Sequence, residues 1–278
     1  MLYEERALSF ACHGEQLIGV LALPQEQAAK GVLVVVGGPQ YRAGSHRQFT
    51  LLARGLAAQG IPVLRFDYRG MGDSDGAERA FDDVGADLRA AIDAFMRAAP
   101  GLREVAVWGL CDGASAAMFY APQDPRVSGL ALLNPWVRSA GGLARATVKH
   151  YYGRRLLQAE LWGKILRGRF AYRAALGEIG ATVATLLRGG GAPPEAALPE
   201  RLRAALAAFD GRVLLILSGA DLTAREFSDL VAADAGWRRR LAAPGVTRRE
   251  LPGADHTFSR RVWREQVADW TAAWLRSW

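Results

Sequence analysis

The sequence predicts an α/β fold: a mostly parallel central sheet with helices on both faces and a helical lid insertion. Three observations carry this expectation. Apolar runs ending in glycine or turn residues alternate with amphipathic stretches along most of the chain. Several of those runs, such as GVLVVVGG (31–38), are apolar throughout, as strands covered on both faces must be. One stretch, VAVWGLCDGASAA (105–117), passes from a strand through a Gly-x-Cys-x-Gly turn into a small-residue helix.

The elements follow in order. Residues 2–12 and 16–23 read as two strands joined at His13-Gly14-Glu15, a hairpin. The 31–38 run is the first fully buried strand. Ser45 with Gln48 three residues later resembles a capping box opening a helix to about Gln59. IPVLRFD (61–67) is the next strand, followed by the glycine-rich loop DYRGMGDSDG (67–76). Val84, Leu88, Ile92 and Phe95 recur at helical spacing within 82–98. A strand over 104–108 leads into the Cys111 turn and a helix to about Tyr120, and VSGLALLNP (127–135) is another buried strand.

The alternation then breaks. Residues 138–208 are helix-like and rich in Arg, Ala and Leu, with a Gly-Pro stretch at 188–200 that reads as a loop. We expect this segment to form a lid over the strand ends, inserted in a core made of 1–137 and 209–278. VLLILSG (213–219) resumes the pattern, a helix capped by Thr223 with Glu226 follows, and 246–251 is a last strand. In a final helix over 260–277, Trp263, Val267, Trp270 and Trp274 form one packing face.

Composition narrows the function classes. The chain has 278 residues, 50% hydrophobic, enough for one sizeable core. Two cysteines, Cys12 and Cys111, are too few for a disulfide scaffold and suggest free thiols in a reducing compartment. The start, MLYEERALSF, lacks the pattern of a signal peptide, and no run of 18 apolar residues occurs; a cytoplasmic location is expected. The net charge of +7 is local: residues 138–173 hold nine Lys or Arg against one acid, Glu160. No cofactor or metal motif is read, and no nucleic-acid motif accompanies the basic segment.

The chemistry centres on Cys111. A side chain on a sharp strand-to-helix turn projects at a helix N-terminus, where the dipole and free N–H groups favour an anion. Gly109, Gly113 and the alanines after them allow close chain passage. A small buried thiol is the plain alternative. Ser115 is a rival nucleophile, but it lies a full turn inside the helix. A nucleophilic cysteine needs a base, and the base an orienting acid. Of the four histidines, His256 in LPGADHTFS follows the last strand, at the sheet edge that carries the turn. Asp221 in LSGADLT follows the preceding strand. The chain order is then nucleophile, acid, base. For the oxyanion hole, one N–H is expected from Asp112. The other comes from the loop after the 31–36 strand, where Pro39 cannot donate and Gly38 and Gln40 both remain.

GLCDG, DYRGMGDSDG, SGADLT and GADHTFS together resemble an α/β hydrolase. More narrowly, GGPQYRAGSHRQF, RFDYRGMGDSDG, GLCDGASA, LLNPWVRS and LTAREF resemble the exosortase A system-associated hydrolases, type 1. The likeness implies the α/β-hydrolase fold and a bacterial setting linked to exopolysaccharide production and surface-protein sorting. Cys-His-Asp triads also occur in dienelactone hydrolases of the same superfamily. The expected activity is hydrolysis of an ester, thioester or lactone on a small-molecule or carrier-bound acyl substrate. Acyl transfer to another acceptor, a thioesterase and a non-catalytic ligand-binding relative are the rival readings. For the basic segment, with Tyr151, Tyr152, Trp162 and Phe170 among its cations, the readings are a solvated surface, peripheral contact with an anionic membrane, and recognition of an acidic polysaccharide or acyl carrier. The oligomeric state is not legible.

Overall fold

A computed structural model describes residues 2–38, 40–137 and 197–278. The chain divides into two compact units, Met1–Trp136 with Leu202–Trp278, and Val137–Arg201. Nearly all of the second, including the aromatic and basic residues expected to form the lid, lies outside the described residues.

The first unit is built on an eight-stranded sheet in the order β1-β2-β4-β3-β5-β6-β7-β8. β1 (Tyr3–Cys12) and β2 (Glu15–Pro24) form the antiparallel hairpin. Its two-residue loop, His13-Gly14, has φ of 51° and 87°, the positive values that a tight turn matched to strand twist requires. β3 (Lys30–Val35), β4 (Val63–Phe66), β5 (Glu104–Leu110), β6 (Val127–Leu133), β7 (Arg212–Ser218) and β8 (Val246–Leu251) run parallel to one another. The continuous apolar runs are indeed the central, buried strands, whereas edge strand β8 is mostly exposed and charged.

The described helices are α1 (Gln48–Ala57), α2 (Gly85–Ala98), α3 (Asp112–Tyr120), α4 (Leu198–Ala207), α5 (Leu222–Ala233), α6 (Ala235–Leu241) and α7 (Arg261–Leu275). α1 and α7 pack together over one face of the sheet, with Phe49, Leu52, Leu56, Val267 and Trp274 in a shared core with Trp108, Leu110 and Leu133.

Three expectations need correction, and one helix was not anticipated. The capping box at Ser45 and Gln48 does not form. Ser45–Arg47 is a short 3-10 turn, and α1 starts after Arg47, which has left-handed backbone and no capping side chain. The Ser45 N–H donates instead to Gln40 Oε1 at 3.0 Å. At α5 the cap is Asp221, not Thr223, which lies buried inside the helix. β5 runs past Trp108 to Leu110, so the strand delivers the chain directly to Cys111. α6 is a separate helix, capped by Asp234 through the Trp237 N–H at 2.9 Å, which the sequence pattern did not reveal.

The loop 67–76 acts as a brace. The Asp67 carboxylate, fully buried, accepts the Arg42 N–H at 2.6 Å and the Asp73 N–H at 3.1 Å, and pairs with the Arg42 guanidinium. Ser74 Oγ donates to Asp67 O at 2.6 Å and accepts the Ile18 N–H at 2.9 Å, fastening the loop to β2. Arg69 forms a buried bidentate pair with Asp87 of α2, at 2.8 and 2.9 Å, and its own N–H donates to the same carboxylate.

Candidate active site

The sharp turn stands where the sequence places it. Cys111 links β5 to α3 with φ 61° and ψ −126°, a conformation that costs a non-glycine residue on the order of 1–3 kcal/mol and persists only where the surroundings impose it. The surroundings do so. The Cys111 N–H donates to Leu133 O at 2.9 Å, and the Cys111 carbonyl accepts N–H groups of Ala114, Ser115 and Trp136. Gly109 has no alternative residue: a Cβ there would lie 2.3 Å from Gly113 O. The Cys111 side chain is half-buried, whereas Ser115 is fully buried with its hydroxyl donating to Trp136 O at 2.5 Å. That hydrogen bond commits Ser115 to packing.

Three strand ends bring the partners together. Asp221 follows β7 and His256 follows β8. The loops that carry them are joined by Ala220 N–H to Ala254 O at 2.9 Å and Gly219 N–H to Leu251 O at 2.9 Å. His256 Nδ1 lies 3.0 Å from Asp221 Oδ2. The same carboxylate accepts the Ala224 N–H at 2.9 Å, so Asp221 caps α5 and orients the imidazole at once. Burial opposes ionisation of Asp221, but the hydrogen bonds from His256 and the backbone outweigh it and hold its pKa below the ordinary carboxylate value. His256 is pushed up to about 10, first by its hydrogen bond to Asp221, then by one to Cys111, against the opposing effect of burial. Both contacts favour the protonated ring. Cys111, Asp221 and His256 thus meet in one site.

The expected oxyanion donors are a more complicated matter. Asp112 is the first residue of α3, where the backbone N–H has no intrahelical acceptor. Both loop candidates, however, are already engaged. The Gly38 N–H donates to Asp112 Oδ2 at 2.8 Å, and the Gln40 N–H donates to Gly38 O at 2.8 Å. Pro39 lies outside the described residues. The Asp112 carboxylate, which also accepts the Gly113 N–H at 3.1 Å, occupies the place an oxyanion would take at Gly38.

One residue of the site was missed from sequence. Asn134 ends β6 with φ 43° and is fully buried. Its Nδ2 donates to Ser218 Oγ at 2.8 Å and to His256 O at 3.1 Å, while Oδ1 accepts the Ser218 N–H at 2.9 Å. It fastens the β7 end and the His256 loop to the strand beside Cys111. Asn134→Ala leaves buried donors and acceptors unpaired and should destabilise the protein by about 2 kcal/mol, read from the denaturant midpoint. It should also lower kcat more than it raises KM, because the imidazole loses its position.

A family model described as Serine aminopeptidase, S33, matches residues 27–167. The chain belongs to this family of α/β hydrolases. Where that description specifies serine, this S33-family hydrolase carries Cys111 at the turn. No curated protein matches the chain. Among solved structures, an esterase of Pyrococcus furiosus is similar at 17% identity and TM-score 0.67, covering 99% of this chain and 92% of that one. A dienelactone hydrolase of Anabaena variabilis is similar at 17% identity and TM-score 0.62, covering 100% and 99%. Est1E of Butyrivibrio proteoclasticus, solved with ferulic acid, is similar at 15% identity and TM-score 0.63, covering 98% and 100%. At these identities the likeness is one of fold, the α/β-hydrolase fold. No helix among the described residues of this hydrolase is long and apolar enough to cross a membrane.

Proposed function

We propose that this hydrolase cleaves an ester, thioester or lactone through a covalent acyl-enzyme on Cys111. The observation that carries the reading is the placement of His256, hydrogen-bonded to Asp221 at 3.0 Å on one side and facing Cys111 on the other. An imidazolium beside sulfur stabilises the thiolate, the reactive form. The sulfur attacks the acyl carbon and forms a C–S bond, and the carbonyl π electrons move onto oxygen. The Asp112 N–H faces that oxygen. The Gly38 N–H joins it once the Asp112 carboxylate turns aside. On collapse the bond to the leaving group breaks and His256 gives it a proton. His256 then takes a proton from water, the hydroxide attacks the acyl carbon, and the C–S bond breaks to release the acid and the thiolate. Thiolate is a good leaving group, so unactivated amides are poor substrates.

The esterase and dienelactone hydrolase that share the fold support the ester and lactone class, and the quoted segments shared with exosortase A system-associated hydrolases support a role beside bacterial exopolysaccharide production. Where the basic segment is more than a solvated surface, its charge supports an anionic partner: the membrane surface, an acidic polysaccharide or an acyl carrier. One observation favours a non-catalytic ligand-binding reading: Asp112 already fills the Gly38 donor.

A screen of short- and long-chain p-nitrophenyl esters and acyl-CoA thioesters separates the two readings. Turnover abolished by Cys111→Ala supports the acyl-enzyme, and binding without turnover supports the other. The pH profile gives a second check. The His256 pKa lies above its unfolded value, so the stability its charged form contributes is fully present below about pH 6.5 and is lost as pH rises through about 10. Asp221→Asn removes the largest cause of that elevation. The high-pH limb of kcat/KM should then move downward toward neutrality, with kcat lower by about 10²–10⁴-fold.

A further inference from the structure

A cavity of about 440 Å³ lies between α1 and α7, lined by neither Cys111, Asp221 nor His256. The volume falls in the range of about 300–1,000 Å³ typical of small-molecule sites. The lining follows α1 from Gln48 to Gly55, about 10 Å of helix, with Leu51, Leu52, Val267 and Ala268 as apolar walls. One end is different in kind. Arg47 stands there, second of two consecutive non-glycine residues with left-handed backbone, His46 at φ 54° and Arg47 at φ 58°. Such strain gathers where a side chain is held for use. The Arg47 guanidinium has no hydrogen bond or ion pair among the described residues. The N-terminus of α1 lies at the same end, and it favours an anion.

A second, independent feature lies at that end. Trp108 packs edge-on against Phe49 in the first turn of α1, with ring centroids 5.7 Å apart. It lines the cavity, is 3% exposed, and its indole N–H has no acceptor among the described residues. Buried donors are almost always paired, so this one wants an acceptor from outside the chain. The charge at the rim fixes the valence of the guest. Three guanidinium groups, Arg47, Arg261 and Arg264, face two carboxylates, Glu265 and Asp269, which leaves one net positive charge. Arg261 is already paired with Glu265 at 2.6 Å, and Arg264 donates to Ser259 O. Arg47 is the lining guanidinium left without a partner among the described residues.

We propose that this cavity binds a straight-chain carboxylate, with the head at Arg47 and the chain between α1 and α7. The site stands apart from the Cys111 chemistry and does not depend on it. Thr257 and Phe258, the two residues after His256, form part of its wall, so an occupant touches the loop that carries the imidazole.

The test is calorimetric titration of decanoate into the full-length protein and its variants. Decanoate should bind wild type and Cys111→Ala alike. Arg47→Gln should weaken it at least tenfold, and 1-decanol, with no charge, should bind at least tenfold more weakly. Leu51→Phe narrows the cavity and Ala268→Trp fills it; each should reduce binding, the second fully, and Leu51→Phe keeps the test sound if the larger change unfolds the protein. No binding to wild type overturns the proposal. So does binding that Cys111→Ala abolishes while Leu51→Phe leaves it intact, and so does equal binding of decanol.

Discussion

Cys111→Ala should lower kcat/KM for activated esters by about 10⁴–10⁶-fold while the fold is retained, because in the proposed mechanism Cys111 carries the covalent step and its partners cannot replace it. Ser115→Ala is the informative companion. The Ser115 hydroxyl is buried and holds Trp136 O, so its loss should cost about 1 kcal/mol of stability and leave turnover within about twofold of wild type. The reverse pattern, with activity lost at Ser115 and kept at Cys111, would mean that the strained turn serves packing alone. Cys111→Ser should fall between. It keeps the turn and the hydrogen bond to His256, but a serine hydroxyl is far harder to ionise than a thiol.

Asp87→Ala should destabilise the fold by about 3–5 kcal/mol, a large share of the stability of a domain this size. Asp87 is fully buried and holds Arg69 by both guanidinium contacts and by the backbone N–H. Removing the carboxylate leaves a buried guanidinium without its paired counter-charge, with Asp83 only a weaker and more distant influence. The double substitution Arg69→Met with Asp87→Leu should recover most of the loss, since a buried pair contributes little net once both charges are gone. Urea midpoints of the three variants measure this directly. A loss below about 1 kcal/mol for Asp87→Ala would show that water reaches Arg69 and screens it.

The route from sequence to site was most legible where one residue type was forced. Gly109 and Gly113 frame Cys111 because no side chain fits, and small residues in fixed spacing are visible in one dimension. Asp221 and His256 were legible because each follows a strand end, and parallel strands deliver their ends to one edge. Asn134 was not, since the pattern GLALLNP (129–135) reads as an apolar strand. Its left-handed backbone and its reach across β7 to His256 are tertiary facts, although an Asn before Pro at a strand end is a turn signal that could have been followed. The loop oxyanion donor was illegible for a related reason. Backbone N–H groups are alike in sequence, and the competitor for Gly38 is the Asp112 side chain, 74 residues away. At Ser45 the local capping signal lost to Gln40, which takes the N–H the cap would have arranged. The Asp221 carboxylate makes two contacts at once, capping α5 and holding the imidazole.

Alkylation by iodoacetamide at neutral pH, followed by peptide mass mapping of both cysteines, tests the central claim most directly. Cys12 is the internal control: it is 5% exposed, and burial together with Asp87 pushes its thiol pKa up. Cys111 should be modified first in the folded protein, and His256→Ala should slow it by about tenfold or more while Cys12 is unaffected. Equal rates at the two cysteines, or a Cys111 rate indifferent to His256, would contradict the proposal that Cys111 is activated by the imidazole.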